Sequence, residues 1–183
     1  QPDRQLPSAV AVVSDFASEE ARACWEIRGF SLVDKQQGSS MESGPLVRAA
    51  GTQFGLRVYW GGKASSQEDQ FAIYCFREAE EGAEPVKACV TIKVVRQCLP
   101  QHYQTNLNRS FPSGKVFPAV GDARVWGWDD FGKLSDLQNP ANGYLVSDSL
   151  VVELCVKALV SARTQRVVVH PGRADSGGPG GSG

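Results

Sequence analysis

Regular alternation of apolar and polar residues is the feature that most constrains the fold of this chain. Residues 86–95 alternate throughout, and a β-strand turns successive side chains to opposite faces. Such a segment fits a sheet that has one buried and one solvated face. The side chains predicted to face the core are Val86, Ala88, Val90, Ile92 and Val94.

Further strand patterns occur at residues 25–30, 54–60, 71–76 and 149–159. Turn residues separate the segments, and no long helices alternate with them, which favours an antiparallel β-sandwich over a parallel sheet. We therefore predict an all-β fold of seven to eight antiparallel strands, with one short helix within residues 129–137. The expected core faces are Phe54, Leu56, Val58 and Trp60 in one strand, and Phe71, Ile73 and Cys75, opposite Tyr74 and Phe76, in the next.

Both ends of the chain differ from its middle. Residues 163–183 are rich in Gly, Pro and Ser, which predicts a flexible tail or linker. Residues 1–21 are predicted to be a partly flexible leader, in which the apolar patch at 10–13 fits a short strand or a helical turn. The sandwich is expected at residues 22–162.

Charge and cysteine usage narrow the classes of function. A net charge of −1 gives no electrostatic case for nucleic acid or an acidic membrane. No apolar run approaches the roughly 20 residues of a membrane helix. Five irregularly spaced cysteines indicate free thiols in a reducing compartment, so an intracellular location, cytoplasmic or nuclear, is expected. No metal or other cofactor is expected.

Catalytic patterns are scarce. The two histidines lie in a polar loop, His102, and beside the Gly-rich tail, His170, and no nucleophile elbow, zinc-protease motif or phosphate loop occurs. We expect a protein that is not an enzyme, although a catalytic domain could lie elsewhere in the parent protein. The enzymatic alternative is a cysteine nucleophile, which would need a histidine beside Cys75, Cys89 or Cys155.

Residues 125–131 read Val-Trp-Gly-Trp-Asp-Asp-Phe. Trp126 and Trp128 share one face of an extended strand, and such rings either fill a core or grip a partner. Asp129 and Asp130 are predicted to begin and cap the short helix. Trp25 and Phe131 are predicted to belong to the core.

Four blocks of sequence, in order, resemble the MATH domain, also called the TRAF-C domain. They are residues 25–31, Trp-Glu-Ile-Arg-Gly-Phe-Ser; 55–59, Gly-Leu-Arg-Val-Tyr; 126–131; and 143–156, which begins Gly-Tyr-Leu-Val-Ser-Asp. The resemblance covers about residues 22–160 and implies a TRAF-like β-sandwich. It is closest to the MATH domains of ubiquitin-pathway proteins, namely the speckle-type BTB adaptors and the MATH-containing ubiquitin-specific protease.

This resemblance implies a non-catalytic module that binds short linear peptide motifs of partner proteins by β-strand addition in a shallow groove, and so recruits substrates. The edge strand implied for the groove carries Trp126, Gly127 and Trp128. The relatives usually have Asp where this chain has Val125, and Phe where it has Trp128. The missing carboxylate implies a ligand different from the Ser/Thr-rich peptides of those relatives.

Matching outward from the motif places four more residues at groove positions of the speckle-type adaptors: Arg57, Tyr74, Val90 and Arg124. Lys115 and Phe117 are candidates in the following loop. The alternatives are a carbohydrate-binding sandwich, whose exposed tryptophans would stack on sugars, and a TRAF-type oligomeric signalling adaptor. The adaptor needs a coiled coil, and residues 1–21 show no heptads. Association into a homo-oligomer is a further expectation.

Overall fold

The computed structural model describes the backbone of residues 9–98, 107–121 and 124–169, and side chains within 17–98, 107–121 and 124–160. The chain divides into one unit of Ser18–Val160 and a second of Gln1–Ala17 and Ser161–Gly183. The first and last strands run past the predicted domain limits at residues 22 and 162, and the division into leader, domain and tail stays a prediction. Residues 1–8 of the predicted leader and 170–183 of the predicted tail lie outside the described residues.

Two antiparallel sheets form a sandwich, as the sequence predicts. The five-stranded sheet has the order β1-β9-β5-β6, with β7 also paired to β5, and the four-stranded sheet has the order β2-β3-β4-β8. The strands are β1 Ala9–Arg28, β2 Met41–Ala49, β3 Thr52–Tyr59, β4 Gln70–Glu78, β5 Val86–Val94, β6 Leu107–Ser110, β7 Lys115–Phe117, β8 Val125–Lys133 and β9 Ser149–Val169.

The described residues thus contain more strands than the seven or eight predicted, because β6 and β7 lie in a segment interpreted as a loop. They are 4 and 3 residues long, too short to show a period of two in sequence. Both pair with β5, at opposite ends of it: Thr91 pairs with Ser110, and Ala88 pairs with Lys115.

The predicted apolar faces form the core. Every predicted core residue of β3, β4 and β5 is at most 9% exposed, and Trp60, directly after β3, is 1% exposed. Aromatic rings continue from one to the next through this core: Phe30 meets Trp60 edge-on at 5.0 Å, Trp60 lies 5.6 Å from Phe71, and Phe71 lies 5.8 Å from Phe131. Such pairs add about 0.5–1.5 kcal/mol each beyond the area they bury. Phe131 belongs to the core as predicted, whereas Trp25 is only partly buried and packs against the core from its margin.

Arg77 ties the two sheets together at one end of the sandwich. It pairs with Phe54 across the four-stranded sheet and is only 3% exposed. Its Nε donates to Thr52 Oγ1 at 3.0 Å, and its Nη1 donates to the carbonyl of Phe117, in the other sheet, at 2.8 Å. Desolvation lowers the pKa of this guanidinium.

The short helix begins later than predicted. β8 continues through Lys133, so Asp129 and Asp130 are exposed strand residues, and the prediction that they cap a helix is wrong. Helix α1 spans Leu134–Gln138, and Asp69, in the loop before β4, caps it from outside. Its carboxylate accepts from the Ser135 amide at 2.8 Å and from the Ser135 hydroxyl. Among the described residues, no helix is long and apolar enough to cross a membrane.

Candidate functional site

Three of the predicted site residues lie side by side on the outer face of the four-stranded sheet. Arg57 of β3 pairs with Tyr74 of β4, which in turn pairs with Gly127 of β8. The neighbouring row, Leu56 and Cys75, is fully buried, so the Arg57 row faces away from the core. The local alternation and the strand order together bring these residues into one row.

An open depression of about 570 Å³ lies over this row. The ionisable side chains that line it within the described residues are two tyrosines and three cations, and neither Glu42 nor Asp129 lines it. Tyr59 was not predicted, although it lies two residues after Arg57 on the same strand and so on the same face. Lys63 follows the turn after β3 and carried no pattern that could have revealed it. The lining residues are Arg57, Tyr59, Lys63, Tyr74, Gly121, Arg124 and Val125.

The Tyr74 ring lies among these groups. Tyr59 meets it edge-on, with ring centroids 6.0 Å apart, and Lys63 Nζ lies 5.0 Å from its centroid. The Tyr74 hydroxyl is buried and has no hydrogen-bond partner within the described part of the chain. Burying a hydroxyl without a partner costs about 1–3 kcal/mol, a cost that an incoming acceptor or donor would remove.

Two of the three cations of the depression, Arg57 and Lys63, have carboxylates at its rim. Arg57 Nη2 lies 2.6 Å from Glu42 Oε1, and Lys63 Nζ lies 3.7 Å from Asp129 Oδ1. Partial burial lowers the pKa of Arg57, but its hydrogen bond and charge attraction to Glu42, with a contribution from Tyr59, outweigh this and leave the pKa raised. Arg57 therefore stays charged, and its position is fixed by the Glu42 carboxylate.

Gly127 is required by the close approach of β4, whose Ile73 carbonyl oxygen would lie 2.2 Å from a Cβ at this position. A Cβ at this position would lie 2.5 Å from Tyr74 Cα and 2.6 Å from Tyr74 Cδ1. Real Cβ atoms essentially never approach other atoms below 3.0 Å. The glycine of the Trp-Gly-Trp motif therefore lets the Tyr74 ring lie over the backbone of β8.

The two tryptophans of the motif face the other side of β8. Trp126 pairs with Cys75 and Trp128 with Ile73, two residues whose side chains are fully buried. Trp128 and Tyr74 therefore lie on opposite faces of the sheet, because successive residues of a strand alternate between faces, and their predicted role in peptide binding stays a prediction. Both rings are half-buried, at the end of the sheet, where β8 pairs only with β4 among the described strands.

We call the side chains around these rings the edge cluster: Phe111, Lys115, Trp126 and Trp128. Trp128 stacks on Phe111 at 4.1 Å with an interplanar angle of 7°. The Trp126 indole N–H donates to the Val116 carbonyl at 3.0 Å. Lys115 Nζ lies 4.7 Å from the Trp126 centroid and 5.2 Å from that of Phe111.

Two predicted groove residues belong to the core instead. Val90 of β5 pairs with Val156 in the five-stranded sheet and is fully buried. Phe117 is also fully buried and meets Phe54 edge-on at 5.4 Å. The prediction that either side chain lines a groove is wrong, since both point between the sheets. Arg124, by contrast, is exposed and lines the depression, and its predicted role in peptide binding stays a prediction.

Thiol and metal chemistry receive no support from the geometry. Burial raises the pKa of the Cys75 and Cys155 thiols, which disfavours the reactive thiolate. Within the described ranges, no group of three or more His, Cys, Asp or Glu side chains could hold a metal ion.

Comparison with known families matches the MATH domain to residues 22–156 of this chain. The chain belongs to the MATH domain family. The structure of Notothenia coriiceps TRAF5 is similar to this MATH domain, with a TM-score of 0.55, 14% sequence identity, and coverage of 85% of this chain and 77% of that one. At that identity the likeness shows the fold alone. No curated protein matches the chain.

Membership confirms the family and the TRAF-like sandwich expected from the four sequence blocks. MATH domains are protein-interaction modules and are generally not catalytic. Two surface features of this fold lie beside β8. They are the depression over Tyr74, on the outer face of the sheet, and the edge cluster, on the inner face.

Proposed function

We propose that this MATH domain binds short extended segments of partner proteins along β8, with the depression over Tyr74 receiving a negatively charged side chain. The observation that carries the proposal is made on the described residues: the Tyr74 hydroxyl is buried and has no partner among them, and the charged groups among them that line the depression are cations. Arg57 and Arg124 keep the roles predicted for them, and Gly127 contributes its backbone.

The edge of β8, which no other described strand pairs, supports β-strand addition. β8 ends the four-stranded sheet, and a partner segment could hydrogen-bond to its backbone while side chains give selectivity. Part of the edge is already engaged, since Arg109 Nη2 donates to the Asp130 carbonyl at 2.6 Å. The stretch left for a partner begins at Val125 and ends before Asp130.

The chemistry of the depression favours an acidic ligand. A carboxylate beside a guanidinium forms charge-assisted hydrogen bonds, worth about 1.5–3 kcal/mol each. Val125 lines the depression at the position where the ubiquitin-pathway relatives usually carry Asp. An apolar residue there removes a negative charge that would repel an acidic side chain.

Two variants of the protein and one control variant test the proposal. Their binding is measured on an array of peptides in which the charge at each peptide position is varied. Tyr74→Phe removes only the hydroxyl, so it should weaken binding about three- to tenfold while leaving the free energy of unfolding unchanged or raising it. Arg124→Gln should weaken the binding of acidic peptides and leave the binding of neutral peptides unchanged. Arg28→Gln is the matched control, an exposed arginine of β1 paired with Glu26 at 2.9 Å.

The proposal fails if no peptide binds. It also fails if Arg28→Gln lowers affinity as much as Arg124→Gln, because binding would then follow total charge and not this site.

We also propose, on the resemblance alone, that the parent protein is intracellular and recruits substrates for the ubiquitin pathway. Proximity labelling in cells, with the wild-type domain and with the Arg124→Gln variant, would identify the proteins that lie close to each form of the domain. Ubiquitin ligases or proteases that are lost from the labelled set in the variant would support the proposal. Their absence from the wild-type set would contradict it.

A further inference from the structure

The two faces of β8 border on surfaces of opposite chemistry. Gly127 lies on the outer face, where Tyr74 pairs with it under the cationic depression. Trp126 and Trp128 lie on the inner face, in the aromatic edge cluster. A segment added to the β8 edge would continue both faces of the sheet, so its own side chains would alternate between these two surfaces.

We propose that the partner segment alternates acidic and apolar residues, with the acidic side chains on the outer face and the apolar ones against the edge cluster. This inference rests on the proposed function and specifies its ligand. The occupant is a segment of another protein, identified by charge complementarity on one face and apolar contact on the other.

Charge complementarity favours acidic side chains of the partner on the outer face. The ionised side chains that line the depression within the described residues are Arg57, Lys63 and Arg124, and the Glu42 and Asp129 carboxylates lie outside its lining. An acidic side chain entering from the β8 edge would meet these cations and the Tyr74 hydroxyl. An apolar side chain would leave that hydroxyl unpaired and would add no charge to offset the desolvation of the cations.

The aromatic rings of the edge cluster favour apolar side chains of the partner on the inner face. The Trp126 N–H is already satisfied by the Val116 carbonyl, so the indole offers a partner mainly its apolar ring. Trp128 stacks on Phe111 and remains half-buried, which leaves part of this aromatic surface to be covered. Lys115 Nζ already lies over the Trp126 and Phe111 rings, so an aliphatic side chain of the partner would contact the part of the aromatic surface that this ammonium leaves uncovered.

The engaged end of the edge limits the length of the segment. Arg109 holds the Asp130 carbonyl, so addition is confined to the stretch that begins at Val125. About five partner residues fit opposite this stretch, because each residue of an added strand lies opposite one residue of β8. A shift of one residue exchanges the two faces completely, which makes the pattern, and not the composition, the property that is recognised.

Two synthetic peptides of identical composition test the pattern. The alternating peptide is acetyl-Ser-Glu-Val-Glu-Val-Glu-Ser-amide, and the block peptide is acetyl-Ser-Glu-Glu-Glu-Val-Val-Ser-amide. In fluorescence anisotropy with the full chain, the alternating peptide should bind at least about tenfold more tightly. Equal affinities, or tighter binding of the block peptide, would overturn the inference.

Substitutions then assign the faces. Glu→Gln in the peptide, or Arg124→Gln in the protein, should reduce both affinity and its dependence on salt, whereas Val→Ser in the peptide should reduce affinity alone. Lys115→Met removes the cation of the edge cluster and should leave the salt dependence unchanged. A salt dependence that follows Lys115 instead of Arg124 would mean that the acids face the edge cluster, which would overturn the assignment.

The alternation and the proposed function fail in different ways. If neither peptide binds but the array yields another segment, the alternation is wrong and the proposed function survives. If neither binds and the array is blank, both are wrong.

Discussion

Replacing Gly127 with alanine is expected to destabilise the protein, although a Gly→Ala change in a strand ordinarily has the opposite effect. The added methyl group would usually contribute about 0.5–1 kcal/mol, chiefly by restricting the unfolded chain. Here its Cβ would lie 2.5 Å from Tyr74 Cα, and backbone atoms of a paired strand cannot rotate away. Gly127 has no positive φ, so steric contact alone decides the outcome.

The expected magnitude follows from these two opposing terms. Forcing an extra carbon into a packed position typically costs about 1–3 kcal/mol. After the entropic gain is subtracted, Gly127→Ala should lower the free energy of unfolding by about 1–2 kcal/mol. Urea unfolding followed by circular dichroism measures this as a lower midpoint at an unchanged slope.

Gly132→Ala, in the same strand, is the comparison. The nearest atoms to its Cβ would be side-chain atoms, of Phe71 at 2.8 Å and Leu107 at 3.1 Å, so a smaller loss is expected. Gly127→Ala should also weaken peptide binding, because it displaces the Tyr74 ring. A Gly127→Ala protein as stable as the wild type, or more stable, would refute the close approach of Ile73 and Tyr74 to β8.

Further substitutions probe the core, an inter-sheet contact and the helix cap. Val90→Ala should cost about 2 kcal/mol of stability and leave peptide affinity unchanged, as denaturation and anisotropy would show. Arg77→Ala leaves the Phe117 carbonyl without its donor and should cost about 1–3 kcal/mol by urea unfolding. The Ser135 contacts lower the pKa of Asp69 below 3.8, so its stabilising contribution is present above that value and is lost as pH falls through the lower folded pKa. Acid denaturation of Asp69→Asn should accordingly show a shallower pH dependence over that window than the wild type.

The core faces could be predicted because they depend on local alternation. Each strand that contributes them is long enough to show a period of two, and burial follows the predicted side chains in β3, β4 and β5. The same rule identified Tyr74 as opposite to Ile73 and Cys75. At Val90, alternation indicated the core while family resemblance indicated a groove, and the local pattern was correct.

The helix start could not be predicted from local sequence. Two aspartates before an apolar stretch are a common helix signal, yet β8 runs through both of them. Its pairing with β4 contains a bulge between Phe71 and Ile73, which lets the strand continue to Lys133. The cap comes from Asp69, in a loop that is distant in sequence, and no pattern near residue 134 records that contact.

By itself, then, the sequence determined the all-β class, the apolar faces of the strands and, through four ordered blocks, the family. Only the tertiary structure decided what each face of β8 meets. Strand order and register place Tyr74 over Gly127 and turn Trp126 and Trp128 to the opposite side. These arrangements depend on pairing between segments far apart in the chain, and a period of two specifies that faces alternate without specifying what each face meets.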